Sequence, residues 1–89
     1  MSEKILNIIL KKAKEFRAKK VYLFGSAATG NNFRDIDIAT EGIKGTDLLL
    51  FAGEIENEIF LNVDIVDIGV ENEFNEIIKP DLKLIYESR

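Results

Sequence analysis

The stretch "LFGSAATGNNFRDIDIATEG", Leu23 to Gly42, decides the fold. An apolar run, Val21-Tyr22-Leu23-Phe24, stops at Gly25-Ser26. A small polar loop follows, and then two aspartates stand one residue apart in Asp35-Ile36-Asp37-Ile38. The apolar run reads as a buried strand ended by Gly25, and Asp35 to Thr40 reads as a second strand. Side chains alternate across a strand, so Asp35 and Asp37 point to one face while Ile36 and Ile38 point to the core. Carboxylates this close repel and raise each other's pKa unless a cation neutralises them. Magnesium does so with one or two carboxylates and completes its shell with water and substrate phosphates.

The turn before the acids supplies the complementary half of such a site. Glycine at a strand end lets the backbone bend sharply and lets a ligand come close. Ser26 can open a helical turn whose free N–H groups and hydroxyl would bind phosphate oxygens, and Gly30 lets the loop return toward the second strand. Further along, "NVDIVDI", Asn62 to Ile68, is a third strand with two more acids on opposite faces. Asn62, Asp64 and Val66 form its more polar face, which favours Asp64 as the third carboxylate. Asp67 shares the Val63 and Ile65 face and falls at the strand end, either solvated or capping a turn. A central strand apolar on both faces would weaken that choice. Gly25-Ser26 and the acids together describe a metal–nucleotide site, in which metal ions activate the attacking oxygen and stabilise the leaving pyrophosphate.

The remaining elements give one small domain spanning residues 1–89. Ser2 caps a helix running to about Lys19, with Ile5, Ile9, Ala13 and Phe16 on one stripe. Gly42 and Gly45 mark a turn. Thr46 or Asp47 then caps a second helix with Leu48, Ala52, Ile55 and Ile59 on one face, somewhat weakened by Gly53. A short helix from Asn72 to Lys79 stops at Pro80, and Leu82 to Tyr86 is a short edge strand. The order implies an α+β fold, a small mixed β-sheet with helices packed on it.

Composition narrows the chemistry. The 89 residues contain no cysteine and no histidine, which excludes disulfides, thiolate chemistry, His-based acid–base catalysis and most zinc sites. A bound metal must be held by oxygen, as magnesium, calcium or manganese are. Net charge is −4, yet Met1 to Lys20 holds seven of the twelve Lys and Arg residues. A solvated helix face is the simpler reading of that basic segment, and an acidic partner the alternative. The acidic remainder argues against direct nucleic-acid binding, because phosphate neutralisation supplies most of that affinity. No segment has the length of a membrane span, and the N-terminus lacks the apolar core of a signal peptide, so the expected location is the cytoplasm.

At Gly25-Ser26, Asp35-Ile36-Asp37 and the acid-bearing "VDIVDI" strand, the sequence resembles the DNA polymerase beta-like nucleotidyltransferase superfamily. In size, and in the order of "VYLFGSAATG", "DIDIATEG", "NVDIVDI" and "LKLIYES", it is similar to the minimal nucleotidyltransferase (MNT) group. That resemblance implies the antitoxin of a HEPN/MNT toxin–antitoxin pair, which transfers AMP from ATP to a tyrosine hydroxyl of a HEPN ribonuclease toxin. It implies that Asp35, Asp37 and Asp64 bind Mg2+ and that Asp64 also orients or deprotonates the acceptor hydroxyl. Gly25 and Ser26 would hold the triphosphate. Many relatives carry Arg or Lys after Gly-Ser where this chain has Ala27-Ala28-Thr29, and Ser before the first Asp where it has Arg34. Arg34 either supplies that positive charge to the nucleotide or lies on the surface. Phe33 anchors the loop, or stacks on a base or a partner. With 89 residues little chain remains for an acceptor domain, so the acceptor must bring its own binding surface. The other reading is a non-catalytic antitoxin that neutralises its partner by occlusion. Modification of a small molecule such as an antibiotic is a third, less favoured reading, because no acceptor pocket domain follows.

Overall fold

The computed structural model describes residues 1–25, 28 and 35–89. Helix α1 (Glu3–Glu15) begins at Ser2, whose hydroxyl accepts from the Ile5 N–H at 3.2 Å. It stops at Glu15, short of the expected Lys19. Arg17 takes a left-handed φ of 57°, the Ala18 N–H reaches the Ala13 carbonyl at 2.9 Å, and the Arg17 N–H reaches that of Lys14 at 3.1 Å. This is the paired-bond helix stop that glycine usually makes. With arginine in the left-handed position, the sequence gives no sign of the stop.

Strand β1 (Lys20–Phe24) follows, then β2 (Asp35–Glu41), helix α2 (Thr46–Ile59), β3 (Asn62–Asp67), helix α3 (Glu73–Ile78), a single 3-10 turn (Lys79–Asp81) and β4 (Lys83–Glu87). Gly45, with φ 60°, precedes α2, and no side chain caps that helix. Thr46 and Asp47, expected as caps, lie inside the first turn, where the Asp47 charge suits the positive end of the helix dipole. Gly53 sits within the continuous helix.

The four strands form one mixed sheet in the order β3-β2-β1-β4. β1 is antiparallel to β2 and β4, while β2 and β3 run parallel across the α2 connection. Alternation splits each strand between two faces. Val21, Leu23, Ile36, Ile38 and Val63 pack beneath α1 and α2 with Ile9, Ala13, Phe51 and Ile55. Phe16 meets Phe51 edge-on at 5.5 Å. On the opposite face Phe24, Ala39 and Ile78 form a smaller cluster, with Tyr22, Val66 and Leu82 packed against it. One face is thus roofed by two helices. Among the described residues, the other is covered where α3 lies on it, and the acids stand on the part beyond α3.

Two polar contacts fix the frame around β3. Glu56 on α2 reaches down so that its carboxylate accepts the Val63 N–H at 2.9 Å, satisfying a donor on the outer edge of an edge strand. Lys12 on α1 lies among Glu15 (3.2 Å), Glu54 (2.9 Å) and Glu58 (3.6 Å), tying α1 to α2. Hydrogen bonds to Glu54 and then Glu15 hold the Lys12 ammonium well above its usual range. Among the described residues no helix is long and apolar enough to cross a membrane.

Candidate functional site

The parallel pairing of β2 with β3 sets the site. Asp35 lies beside Asn62 and Asp37 beside Asp64, in register. Because partners in register share a face, Asp35, Asp37 and Asp64 all stand on the face opposite α1 and α2. Asp67 pairs with Thr40 and so belongs to the other face. Its carboxylate accepts the Gly69 N–H at 2.9 Å, closing the turn after β3.

The electrostatics follow from that register. Partial burial pushes the Asp37 carboxyl up, and Asp64 adds to this through its charge and a side-chain hydrogen bond; Asp35 contributes a smaller repulsion. The Asp35 carboxylate is exposed and accepts from the Asn62 amide at 3.2 Å, which turns it toward the start of β3.

Gly25 closes the site from the side of β1. Its φ is +62°, a left-handed conformation, and a Cβ placed there would collide with the Asp37 carboxylate oxygen Oδ2. The backbone at Gly25 therefore comes against Asp37 with no room for a side chain. The Ala28 N–H donates to the Gly25 carbonyl at 3.2 Å, a tight turn at the strand end. Ser26, Gly30, Phe33 and Arg34, expected in the phosphate-binding loop, lie outside the described residues.

The donor set suits a hard cation. Asp37 and Asp64 stand side by side in register on one face, where a divalent ion would relieve their repulsion. Among the described residues, no group of three or more acids is gathered closely enough to hold a metal ion, so Asp35, Asp37 and Asp64 share a face without converging on one point. A magnesium site does not require such a group, since water and substrate phosphates complete its shell.

The wall beside the carboxylates was not evident in the sequence. Phe24 pairs across the sheet with Asp37, and Phe74 on α3 meets Phe24 edge-on at 6.3 Å. α3 is held by Asn75, which is buried. Its amide donates to the Asp67 carbonyl at 2.9 Å and the Val70 carbonyl at 2.6 Å, while its N–H donates to the capping Asn72 side chain at 2.8 Å. The only hint of this wall in the sequence is Asn72 as a cap before the Phe74/Ile77 spacing. Two surface clefts lie along α1, one beside Asn7 and Glu58 and one between Leu10 and Tyr86. Neither includes the carboxylates.

A mixed sheet with a paired-carboxylate face beside a glycine turn is the architecture of a nucleotidyltransferase domain. The chain belongs to the polymerase beta nucleotidyltransferase family, whose model matches residues 3–89. No curated protein matches it significantly in sequence. Among solved structures, it is similar to a tri-AMPylated Shewanella oneidensis HEPN toxin in complex with MNT antitoxin, at 21% identity and TM-score 0.77, covering 99% of this chain and 74% of that one. A toxin–antitoxin crystal structure with AMP-PNP gives 22% identity and TM-score 0.75 over 94% of this chain and 74% of that one. A structure described as a minimal nucleotidyltransferase gives 23% and 0.69 over 86% and 85%. At these identities the likeness establishes the fold, which is that of the minimal nucleotidyltransferases.

Proposed function

We propose that the chain is an Mg2+-dependent nucleotidyltransferase of the cytoplasm that transfers AMP from ATP to a hydroxyl of a HEPN toxin, a tyrosine by preference, and so acts as its antitoxin. The observation that carries this reading is the pairing of Asp37 with Asp64 across β2 and β3, with Asp35 on the same face and the Gly25 backbone closed against Asp37. A like-charged, partly buried pair is costly in a protein that has no use for it. The family membership and the HEPN and AMP-PNP complexes among its structural relatives support the same reading.

Asp35, Asp37 and Asp64 would hold the magnesium, which when bound supplies charge stabilisation to the transferring phosphoryl group and the leaving pyrophosphate. The Gly25 turn, with Ser26, would present backbone N–H groups to the phosphates, and Arg34 would add positive charge. Asp64, exposed at the pair's outer side, would orient the acceptor hydroxyl and take its proton. The hydroxyl oxygen bonds to the α-phosphorus as the bond to the bridging oxygen breaks, and pyrophosphate leaves with that electron pair. Binding of a whole protein acceptor would supply the orientation of its hydroxyl toward the α-phosphorus.

The test is the intact mass of a HEPN toxin that pairs with this chain, after incubation with purified protein, ATP and Mg2+. The mass should rise by whole AMP units. An unchanged mass, with the partner bound and inhibited, refutes the transferase reading.

A further inference from the structure

We infer that α3 and the turn before it form the surface that docks the acceptor protein, and that the docked segment is apolar and flanked by Lys or Arg. This rests on the transferase reading for the identity of the partner, and on the surface itself for the rest.

Phe74 and Ile77 stand three residues apart on α3 and so share a face of the helix. They are 50% and 66% exposed, and Val70, in the turn that leads into α3, is 49% exposed. A helix of six residues would ordinarily turn its large apolar side chains to the sheet, as Ile78 does. Here one side of Phe74 packs on Phe24 and the other is open, and Phe24 neighbours Asp37 in the sheet. The apolar surface therefore begins at the carboxylates and runs outward along α3.

Charge defines what would cover it. Between Asn62 and Leu82 there are six acids, Asp64, Asp67, Glu71, Glu73, Glu76 and Asp81, against one base, Lys79. Lys79 is already committed to Glu76 at 2.8 Å. Glu71 and Glu73, both exposed, leave the rim of the apolar surface negative. A nucleic acid would be repelled there, whereas a protein segment with an apolar side chain between basic residues is matched in both charge and hydropathy. Leu49, Leu50 and Phe60 are also exposed. They belong to α2 and its end, on the opposite face of the sheet, and a protein docked there would hold its hydroxyl away from Asp37 and Asp64.

The experiment measures the affinity of the same HEPN toxin for the native chain and for Ile77→Asn, Glu73→Lys and Leu49→Asn, with thermal unfolding of each as the folding control. Ile77→Asn and Glu73→Lys should each weaken the complex by at least about tenfold, as central apolar and charge-reversing substitutions do, and added salt should weaken the native complex. Leu49→Asn should stay within about twofold of native, as a residue outside the interface does. If Ile77→Asn fails to fold, Glu73→Lys carries the test. Absence of a native complex, native-like binding by the α3 variants, or loss of binding in Leu49→Asn alone would each overturn the docking surface. Intact mass separates the two claims. A partner that binds through α3 and never gains AMP refutes the transferase reading and leaves the surface standing. A partner modified and bound equally by native and α3 variants refutes the surface alone.

Discussion

Replacing Asp37 by Asn should stabilise the metal-free protein while removing its activity. Asp37 and Asp64 are direct partners on adjacent parallel strands, so their carboxylates stand about 5 Å apart, near the strand spacing. At that distance Coulomb's law gives roughly 0.8 kcal/mol at the permittivity of water and about 3 kcal/mol at the effective value for partly buried pairs. Solvent on the exposed side of Asp64 reduces the repulsion, leaving a gain of about 1 kcal/mol for Asp37→Asn. In a domain of this size that is a rise of about 4–8 °C in melting temperature. The sign with pH follows from the raised Asp37 pKa. A carboxyl whose folded pKa exceeds its unfolded value stabilises the fold when protonated, and that contribution is lost as pH rises through the folded pKa. The advantage of Asp37→Asn should therefore be full near neutral pH and vanish as pH falls toward the ordinary carboxylate value of about 3.9. Thermal unfolding by circular dichroism, in chelator and across that range, measures it. A variant no more stable than native at neutral pH, or an advantage that grows in acid, would refute the electrostatic account of the pair.

Three further outcomes are expected. Mg2+ at about 100 times its dissociation constant should stabilise the native chain by about 2.7 kcal/mol and leave Asp35→Asn/Asp37→Asn unmoved; equal shifts would place the ion elsewhere. Gly25→Ala combines a left-handed φ with a collision against Asp37, so it should cost about 1–2 kcal/mol in urea unfolding and abolish AMP transfer; a stable, active variant would contradict the closed approach. Asn75→Ala removes two donors from the Asp67 and Val70 carbonyls and should cost about 1–3 kcal/mol, with faster amide exchange across α3; unchanged exchange would show that Asn75 does not anchor that helix.

The α+β architecture was legible because its signals are local. Alternation in Asp35-Ile36-Asp37-Ile38 assigned the two faces of β2, and both isoleucines are fully buried. The polar side of "NVDIVDI" separated Asp64 from Asp67, and the register with β2 sets Asp64 beside Asp37. That register depends on tertiary packing, which no short stretch encodes. The end of α1 was misplaced because Arg17 occupies a left-handed position without glycine. Phe74 was missed because a helix of six residues shows too little period to tell its sheet face from its open one. Ser26 and Arg34, expected to meet the phosphates, lie outside the described residues.

On the transferase reading, the carboxylate pair performs nucleotidyl transfer and this transfer silences the toxin. The most direct measurement follows AMP on the HEPN partner by intact mass, together with growth of cells expressing that partner, for the native chain and for Asp35→Asn/Asp37→Asn. The transferase reading requires modification and protection to be lost together in the double variant while the complex still forms. A double variant that leaves the partner unmodified and still protects the cells would show that the chain works by occlusion.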